Sequence, residues 1–315
     1  MNFMEETKCC TYKICDMKFT KTIYSGAYTL VILGLVLLVL VGCAKSEAPR
    51  IEDEDIPKPI VLPDQLKILS YNILEGMKTD KPNNYDNFVQ WIQNLNPDII
   101  ALQEANGFRQ KDLEKLAARW GHPYVITNLK STDNYPVALT SKYPLESRRK
   151  VTLHTSHGAI FARLKDTDFN IVTTHLWPQA YWHQTGDGLG NDYRLQEINI
   201  VLDSTIRKFP EEPNWILVGD FNSRSRKDYA PGQATHNYWV TDQIEEDGFR
   251  DAIHYLHGTR ADGVTYDFSY PGARIDFLFA TQPVLQKLIK AYPIYDEFTA
   301  KYSDHPPMYM EVSLK

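Results

Sequence analysis

The sequence NWILVGDFNSR, residues 214–224, is the stretch that says most about the fold. It begins with a short apolar run rich in β-branched residues, which predicts a buried strand, and then stops at a carboxylate and an amide two positions apart. Because successive side chains of a strand alternate faces, we expect Asp220 and Asn222 to point the same way and Phe221 the opposite way. A strand that simply ends in a turn has the same residue types, so this stretch alone does not distinguish a structural turn from a functional site.

The chain as a whole has the composition of a globular protein. Its 315 residues are 43% hydrophobic and 23% charged, which allows one domain large enough to bury a substantial core. The formal net charge is −6. Non-specific DNA binding depends largely on cationic surface, so the net negative charge argues against a protein that coats DNA. Binding of nucleic acid through a local basic patch remains compatible with this charge.

The N-terminal region has the features of an export signal. An apolar run that follows Lys18 and Lys21 ends at residue 43 and, at roughly a dozen residues, is too short to span a bilayer comfortably. Its end, LVGC at residues 40–43, resembles the lipobox of bacterial lipoproteins, in which the signal is cleaved before the cysteine and that cysteine, here Cys43, is lipidated. A plain signal peptide or an uncleaved anchor is the alternative.

Composition divides the chain into three predicted parts. They are a lipoprotein signal peptide at 1–42, a solvated tether at 43–63 and the folded domain at 64–315. All four cysteines lie at or before residue 43, so the domain has no thiol for a disulfide or a thiolate metal site. Translation from Met17 instead of Met1 would give a signal of more usual length. We expect a monomer in the bacterial cell envelope, anchored to the membrane through lipid.

Apolar runs alternate with segments of helical period along the predicted domain. Strands are predicted at LKILSYNIL, DIIALQE, YPVALTS, AIFARLK, FNIVTTHL, NWILVGD, RIDFLFA and PMYMEVSL. Helices are predicted within residues 83–97, 109–120 and 192–209. No internal repeat or second linker interrupts this series, so one strand-rich α/β domain is expected.

Polar residues end or interrupt many of these strands. A lone Asp or His at a strand end is usually a structural residue that satisfies a local hydrogen bond. Six such interruptions, all by Asn, Asp, Glu or His, are harder to explain in that way. They are Asn72, Glu104, His175, Asp220 with Asn222, Asp276, and Asp304 with His305.

In this order and at these separations, the residues resemble the endonuclease/exonuclease/phosphatase superfamily, the deoxyribonuclease I-like phosphoesterases. The motifs that carry the resemblance are Gly219-Asp220-Phe221-Asn222 and Ser303-Asp304-His305, supported by Gln103-Glu104, Thr174-His175 and Arg274-Ile275-Asp276. The resemblance implies an α+β four-layer sandwich, in which two packed mixed β-sheets are flanked by helices. It also implies a site along one edge of the sandwich, where strand ends meet.

Phosphate ester hydrolysis explains why these residue types occur together. The reaction needs a water placed in line, a base near that water, and positive charge on the phosphoryl oxygens. Carboxylate and amide oxygens suit Mg²⁺ or Mn²⁺, and Mg²⁺ commonly takes one or two carboxylates plus water and substrate. Glu104, with Asn72 beside it, is therefore the metal candidate, and the resemblance implies that Asp304 approaches the metal.

The resemblance also implies catalytic roles. Asp220 would orient or deprotonate the water, Asn222 would hydrogen-bond a phosphate oxygen, and His175 and His305 would contact the scissile phosphate or protonate groups around it. Asp276 would pair with His305, which would fix the tautomer of the ring and raise its pKa. The sequence leaves open whether Asp220 or His305 is the general base. The other seven histidines stand in no matching motif and are interpreted as structural or surface residues.

Two features of the sequence bear on substrate binding. The loop after His175 carries Trp177, Tyr181 and Trp182, which are either a wall for a sugar, base or lipid group or anchors of a long loop. Arg224, just past the motif at residues 219–222, is a candidate to bind a second anionic group, although a solvated charge would need no such role.

The predicted function is a metal-dependent phosphoesterase tethered to the envelope. Its substrate would be a phosphodiester or phosphomonoester in nucleotides, nucleic acids, sugar phosphates or lipid head groups, and the acidic balance favours a small or lipid-like one. Members that act at abasic DNA often have an acid two residues after the first Asn, where this chain has Leu74 and then Glu75. The alternatives are a non-catalytic envelope binding lipoprotein that retains the scaffold and, among enzymes, a secreted-type nuclease.

Overall fold

The structure is a computed structural model that describes residues 61–130, 135–178, 190–229, 237–258 and 274–315. The predicted signal peptide, Cys43, most of the predicted tether, Tyr181 and Trp182 lie outside these ranges. Within them, no helix combines the length and the apolar character that a membrane span requires.

In the residues that the structure describes, twelve strands, β1 to β12 in chain order, form two sheets. They are Gln65–Asn72, Ile99–Gln103, Tyr124–Thr127, Ala138–Ser141, Leu145–Val151, Ala159–Leu164, Phe169–His175, Asn214–Asp220, Phe249–Asp251, Asp276–Thr281, Leu288–Pro293 and Met308–Ser313. Sheet A has the strand order β11-β12-β1-β2-β4-β3 and sheet B has the order β5-β6-β7-β8-β10-β9. Each sheet contains one parallel pair, β1 with β2 or β7 with β8, and its other pairs are antiparallel.

Eight helical segments, α1 to α8, accompany the strands in the described residues. They are Leu74–Met77, Asp86–Leu95, Gln110–Ala118, Asn191–Ser204, Trp239–Glu246, Ala252–His257, Gln282–Leu285 and Glu297–Tyr302, with 3₁₀ turns at Lys81–Asn83, Ile206–Lys208 and Arg226–Asp228. The predicted helices correspond to α2, α3 and α4. The first segment, α1, is a single turn in which all four residues have positive φ.

Alternating side chains of the strands build three apolar layers. Ile68 on β1 and Val218 on β8 pack in the central layer between the two sheets, whereas their neighbours Leu69 and Leu217 pack on the outer faces. Residues of α2, α3 and α8 cover the outer face of sheet A, and residues of α4 and α5 cover that of sheet B. The predicted α+β four-layer sandwich is confirmed.

The same alternation directs the polar strand ends inward. Asn72, His175, Asp220 and Asp276 each lie an even number of residues from a side chain of their own strand that packs in the central layer, as Asn72 does from Ile68. Even spacing keeps a side chain on the same face of a strand. The four polar side chains therefore point into the space between the sheets, at the end where their strands begin or stop.

Sequence patterns predicted the inner strands and missed the edges. The eight predicted strands are β1, β2, β4, β6, β7, β8, β10 and β12, while the four missed strands, β3, β5, β9 and β11, are the outermost strands of the two sheets. Residues 146–150 of β5 are all exposed and include Arg148, Arg149 and Lys150, and β9 has three residues. Strands with one solvated edge need no continuous apolar run, so the hydrophobic pattern did not reveal them.

Candidate active site

Strand ends from both sheets converge at one end of the sandwich. In the parallel pairs, Asn72 is level with Gln103 and His175 is level with Asp220. The first residue of β10, Asp276, pairs with Asp220 across an antiparallel ladder. The strand register therefore brings His175, Asp220 and Asp276, which the sequence spreads over about a hundred residues, side by side.

Asp220 lies at the centre of this group. Its Oδ2 atom is 3.1 Å from Asn72 Nδ2, 3.6 Å from His175 Nε2 and 3.8 Å from His305 Nε2. Asp220 is 1% exposed, so these neighbours replace most of its contact with water. We refer to Asn72, His175, Asp220, Asp276 and His305 as the central cluster.

The glycine that precedes Asp220 allows two strands to approach closely. A Cβ atom at Gly219 would lie 1.9 Å from the carbonyl oxygen of Thr174 on the adjacent strand β7, and the φ angle of Gly219 is +146°. Any side chain there would displace the backbone that carries His175. The sequence GD at the end of β8 is thus a requirement of packing as well as of chemistry.

Asn222 is joined to Asp220 by a turn. Strand β8 ends at Asp220, and Asn222 has a left-handed φ of 47°. The Asn222 N–H donates to Asp220 Oδ1 over 2.8 Å, and Asn222 Nδ2 donates to the carbonyl oxygen of Leu176 over 3.0 Å. Phe221, between them, packs in the outer apolar layer of sheet B. Asn222 therefore fixes both Asp220 and the segment after His175, and its contact with phosphate remains a prediction.

Asp276 and His305 form the predicted pair. His305 Nδ1 donates to Asp276 Oδ2 over 2.7 Å, which directs Nε2 towards Asp220. Burial opposes protonation of the His305 ring, but the charge of Asp276, the hydrogen bond to it and the charge of Asp220 outweigh burial and raise the pKa of His305. Asp276 therefore favours the imidazolium form of His305, while burial raises the pKa of Asp276 itself.

His175 is oriented by the backbone. Its Nδ1 atom donates to the carbonyl oxygen of Tyr135 over 3.3 Å, because a carbonyl oxygen can only accept. Nε2 is then the ring atom that faces Asp220. His175 and His305 thus both have Nε2 within 3.6–3.8 Å of Asp220 Oδ2.

Glu104 lies beside the central cluster at the end of β2. Its Oε1 accepts from Asn72 Nδ2 over 3.2 Å and its Oε2 accepts from the Glu75 N–H over 2.8 Å. Glu75 belongs to the left-handed segment α1, and Glu104 itself has a φ of 54°. Backbone in this region persists only where its surroundings fix it. Here the unusual backbone places an N–H donor on the Glu104 carboxylate.

Asn72 connects the two acids on either side of it. Its Nδ2 group lies within hydrogen-bonding distance of both Glu104 and Asp220, and its Oδ1 accepts from the Leu74 N–H over 3.2 Å. The amide nitrogen therefore faces the carboxylates and the amide oxygen faces the backbone. Among the predicted metal ligands, Glu104 offers the carboxylate, and Asn72 holds that carboxylate in place.

Asp304 lies at the rim of the site. Its side chain is 53% exposed, and its Oδ1 is 4.0 Å from His305 Nε2. The segment is fixed by Ser303, whose hydroxyl donates to the Asn72 carbonyl oxygen over 2.7 Å and accepts from the His305 N–H over 3.2 Å. Lys78 lies close enough for Glu75, and also Asp304 and Glu104, to raise its pKa, so these three carboxylates share one region.

The two predicted substrate-binding residues have other contacts. The indole of Trp177 stacks on His157 with the ring centroids 6.5 Å apart and the planes 7° apart, and it packs edge to face with Tyr193. Burial raises the pKa of the Tyr229 phenol, and the half-buried Arg224 lies close enough to act against that rise. The packing of Trp177 favours the loop-anchor alternative, and contact of either residue with substrate remains a prediction.

Sequence reasoning missed three residues near the site. His157 is 7% exposed, and its ring stacks on that of His175 with the centroids 4.4 Å apart. Arg194 and Glu197 are fully buried on α4 and bond the backbone of Trp177. A signal for the last two was present: they lie on the same buried face of α4 as Ile198 and Val201, and charged residues on an apolar helix face are rarely buried without a partner.

Solved structures share this fold. An AP endonuclease from Archaeoglobus fulgidus aligns with a TM-score of 0.59 and 20% identity, over 79% of this chain and 100% of its own. An endonuclease/exonuclease/phosphatase from Beutenbergia cavernae DSM 12333 aligns with a TM-score of 0.59 and 19% identity, over 80% of this chain and 72% of its own. No curated protein sequence matches the chain. The model of the Endonuclease/Exonuclease/phosphatase family matches residues 69–305, which include every residue of the central cluster. The chain belongs to the endonuclease/exonuclease/phosphatase family.

Proposed function

We propose that the protein is a metal-dependent phosphoesterase that cleaves a phosphodiester or phosphomonoester by attack of water. The observation that carries the proposal is the position of Asp220 Oδ2, within 3.1–3.8 Å of nitrogen atoms of Asn72, His175 and His305. A carboxylate there can accept a proton from water while His305, held by Asp276, donates from Nε2 to a phosphoryl oxygen. Membership of a family of phosphate ester hydrolases supports the reaction class.

Asp220 is the proposed general base, and His305 is the proposed cation. Because Asp276 holds His305 as an imidazolium, the ring can donate a proton or a hydrogen bond from Nε2 but cannot accept a proton. Asp220 Oδ2 lies 3.8 Å from that nitrogen. This division of roles addresses the choice of base that the sequence leaves open.

The residues around Glu104 fit a hard divalent cation such as Mg²⁺ or Mn²⁺. Two N–H donors orient the Glu104 carboxylate and leave a lone pair on each oxygen for a metal, and the half-exposed Asp304 lies in the same region. A cation bound there would add positive charge to the phosphoryl oxygens. Asp220, Asp276 and His305 also place one ligand atom each within 4.8 Å of one another, which makes them a second group that could hold a metal ion.

The substrate and the location are also proposals. The net charge of −6 and the predicted lipidation of Cys43 support an enzyme that is tethered to the envelope and acts on small or lipid-linked phosphate esters. Such a substrate reaches the site without a broad cationic surface.

The test is a substrate screen of the full-length protein in detergent. The panel comprises nucleotides, abasic duplex DNA, sugar phosphates and phospholipid head-group esters, each assayed with Mg²⁺, with Mn²⁺ and with EDTA. We expect hydrolysis of at least one class, loss of that activity with EDTA, and loss in Asp220→Asn. Absence of hydrolysis by a folded protein across the panel would favour the alternative of a binding lipoprotein.

A further inference from the structure

Two buried residues of α4 hold the backbone on both sides of Trp177. The Trp177 N–H donates to Glu197 Oε2 over 2.8 Å, and the Trp177 carbonyl oxygen accepts from Arg194 Nη1 over 3.2 Å. Arg194 and Glu197 lie three residues apart, so one turn of the helix supplies both contacts. The segment that follows His175 is therefore bonded to α4 through its backbone.

The other carboxylate oxygen of Glu197 reaches a second segment. Glu197 Oε1 accepts a short hydrogen bond from the Ser156 N–H, at the start of the turn that leads into β6. Burial raises the pKa of Glu197, and the backbone donors at Ser156 and Trp177 act against that rise. One buried side chain thus joins residues 155–158 to residues 176–177, although 20 residues separate Ser156 and Trp177 in sequence.

A stack of rings lies between the two joined segments. His157 follows Ser156, and its imidazole is stacked against His175 with the centroids 4.4 Å apart and the planes 28° apart. Trp177 is a second ring neighbour of His157, with the ring centroids 6.5 Å apart and the planes 7° apart. The carbonyl oxygen of His157 accepts from Asn128 Nδ2 over 3.3 Å, which fixes the backbone of the turn.

We propose that Glu197 and His157 are positioning residues for His175. Glu197 holds the two segments together, and the ring of His157 then packs on one face of His175 and restricts the imidazole to the orientation in which Nε2 faces Asp220. The inference rests on the proposed function for its kinetic consequence. Its structural content, the restriction of one histidine ring by another, is independent of any substrate.

Three variants test the proposal in the full-length protein. His157→Ala removes the ring and should lower kcat by ~10-fold or more with KM changed by less than ~2-fold, since a displaced catalytic group costs rate more than binding. His157→Phe keeps a flat ring of similar size and should stay within ~3-fold of wild type. Glu197→Gln replaces one acceptor oxygen by a donor, so one segment loses its partner and kcat should fall as in His157→Ala.

A spectroscopic measurement separates this inference from the proposed function. The ring signals of His175 in ¹H–¹³C NMR spectra should move in both His157→Ala and Glu197→Gln, because the ring current of His157 is lost or displaced, whether or not a substrate has been found. The double variant should be no slower than the slower single variant, since both changes remove one constraint. His122→Ala is the matched control: His122 is fully buried and bonded to Thr140 of β4 and to the Pro97 carbonyl oxygen just before β2, so its loss should lower Tm and leave kcat unchanged.

Two results would overturn the proposal. One is unchanged His175 signals together with kcat within ~2-fold of wild type in both His157→Ala and Glu197→Gln. The other is a loss in His157→Phe equal to that in His157→Ala, which would assign the effect to the ring nitrogens and not to stacking. If the wild-type protein hydrolyses no phosphate ester, the NMR measurement still decides whether Glu197 and His157 position His175.

Discussion

Sheets A and B are built alike but contribute different groups to the site. Each has six strands with one parallel pair. At the end of sheet A, the Glu104 carboxylate is only partly buried and is held by N–H donors. At the end of sheet B, the polar residues His175, Asp220 and Asp276 are all nearly fully buried and contact one another or His305.

The difference indicates a division of chemical roles between the two sheets. A partly exposed, oriented carboxylate suits a cation that keeps several waters and meets a substrate. Buried carboxylates and imidazoles suit proton transfer, because burial and charged neighbours set which group carries the proton. His305 and Ser303, from the segment before β12, connect the two halves, since Ser303 bonds the Asn72 backbone of sheet A and His305 bonds Asp276 of sheet B.

The largest effect is expected at the sheet B side of the site. Asp220→Asn removes the proposed base and should lower kcat/KM by ~1,000-fold, within the range for loss of a general base. An amide fits the same space and can still accept the Asn222 N–H, so Tm should fall no further than in the control variant. The matched control is Asp80→Asn: Asp80 is also buried, but it accepts the Phe88 N–H at the start of α2, so its change should lower Tm and leave kcat/KM near wild type. A wild-type rate in Asp220→Asn would remove the basis for the proton-transfer role of sheet B.

The next effect is expected at the sheet A side. Glu104→Gln should lower hydrolysis by at least ~100-fold and weaken binding of Mn²⁺, measured by titration calorimetry or by the EPR signal of free Mn²⁺. Glu114→Gln, an exposed carboxylate on α3 bonded to Gln110, is the control and should change neither quantity. Equal Mn²⁺ affinity in Glu104→Gln and wild type would place the metal elsewhere. It would then contradict the proposal that sheet A supplies the metal ligand.

A smaller effect with a characteristic pH dependence is expected from Asp276→Asn. The Asp276 carboxylate raises the pKa of His305, so its removal should lower that pKa. If His305 acts as a cation, the basic limb of the kcat/KM profile should move to lower pH, and the plateau should fall by ~10-fold because the ring orientation is less fixed. A shift of the acidic limb alone would make His305 the base in place of Asp220. Unchanged limbs and plateau would make Asp276 a structural strand residue.

The smallest effect on rate is expected outside both sheets. Cys43→Ser removes the predicted lipidation site and should leave kcat/KM of the purified protein unchanged. It should release the protein from the membrane fraction or block its maturation, which fractionation and intact mass would show. Unchanged fractionation and mass would contradict lipidation at Cys43.

The sequence predicted the interior of the fold and the cluster of polar strand ends. Inner strands must be apolar on both faces, so their hydrophobic runs are continuous, and a polar residue at the end of such a run is easy to notice. Asn72, Asp220 and Asp276 were found in this way, and the structure brings them together. The family resemblance supplied what spacing alone could not, namely that His305 would pair with Asp276.

Other parts of the site lay beyond the reach of sequence patterns. The left-handed backbone of α1 places the Glu75 N–H on Glu104, but its sequence, LEGM, contains a single glycine and predicts no such turn. The stacking of His157 on His175 depends on how two turns from neighbouring strands meet, which is a tertiary contact. Asn222 was expected to follow strand alternation, but the strand ends two residues earlier, because a turn closed by the Asp220 carboxylate is available to this residue pair.

The exposed cations of strand β5 have a consequence for self-association. An outermost strand presents unpaired N–H and C=O groups to which the strand of another molecule can add. In β5, Arg149 and Lys150 are exposed, so a second copy approaching with the same strand would bring like charges together. The repulsion opposes continuous growth of sheet B beyond its six strands through β5. The charged residues that made β5 hard to predict from hydrophobicity thus also oppose fibril formation along this edge.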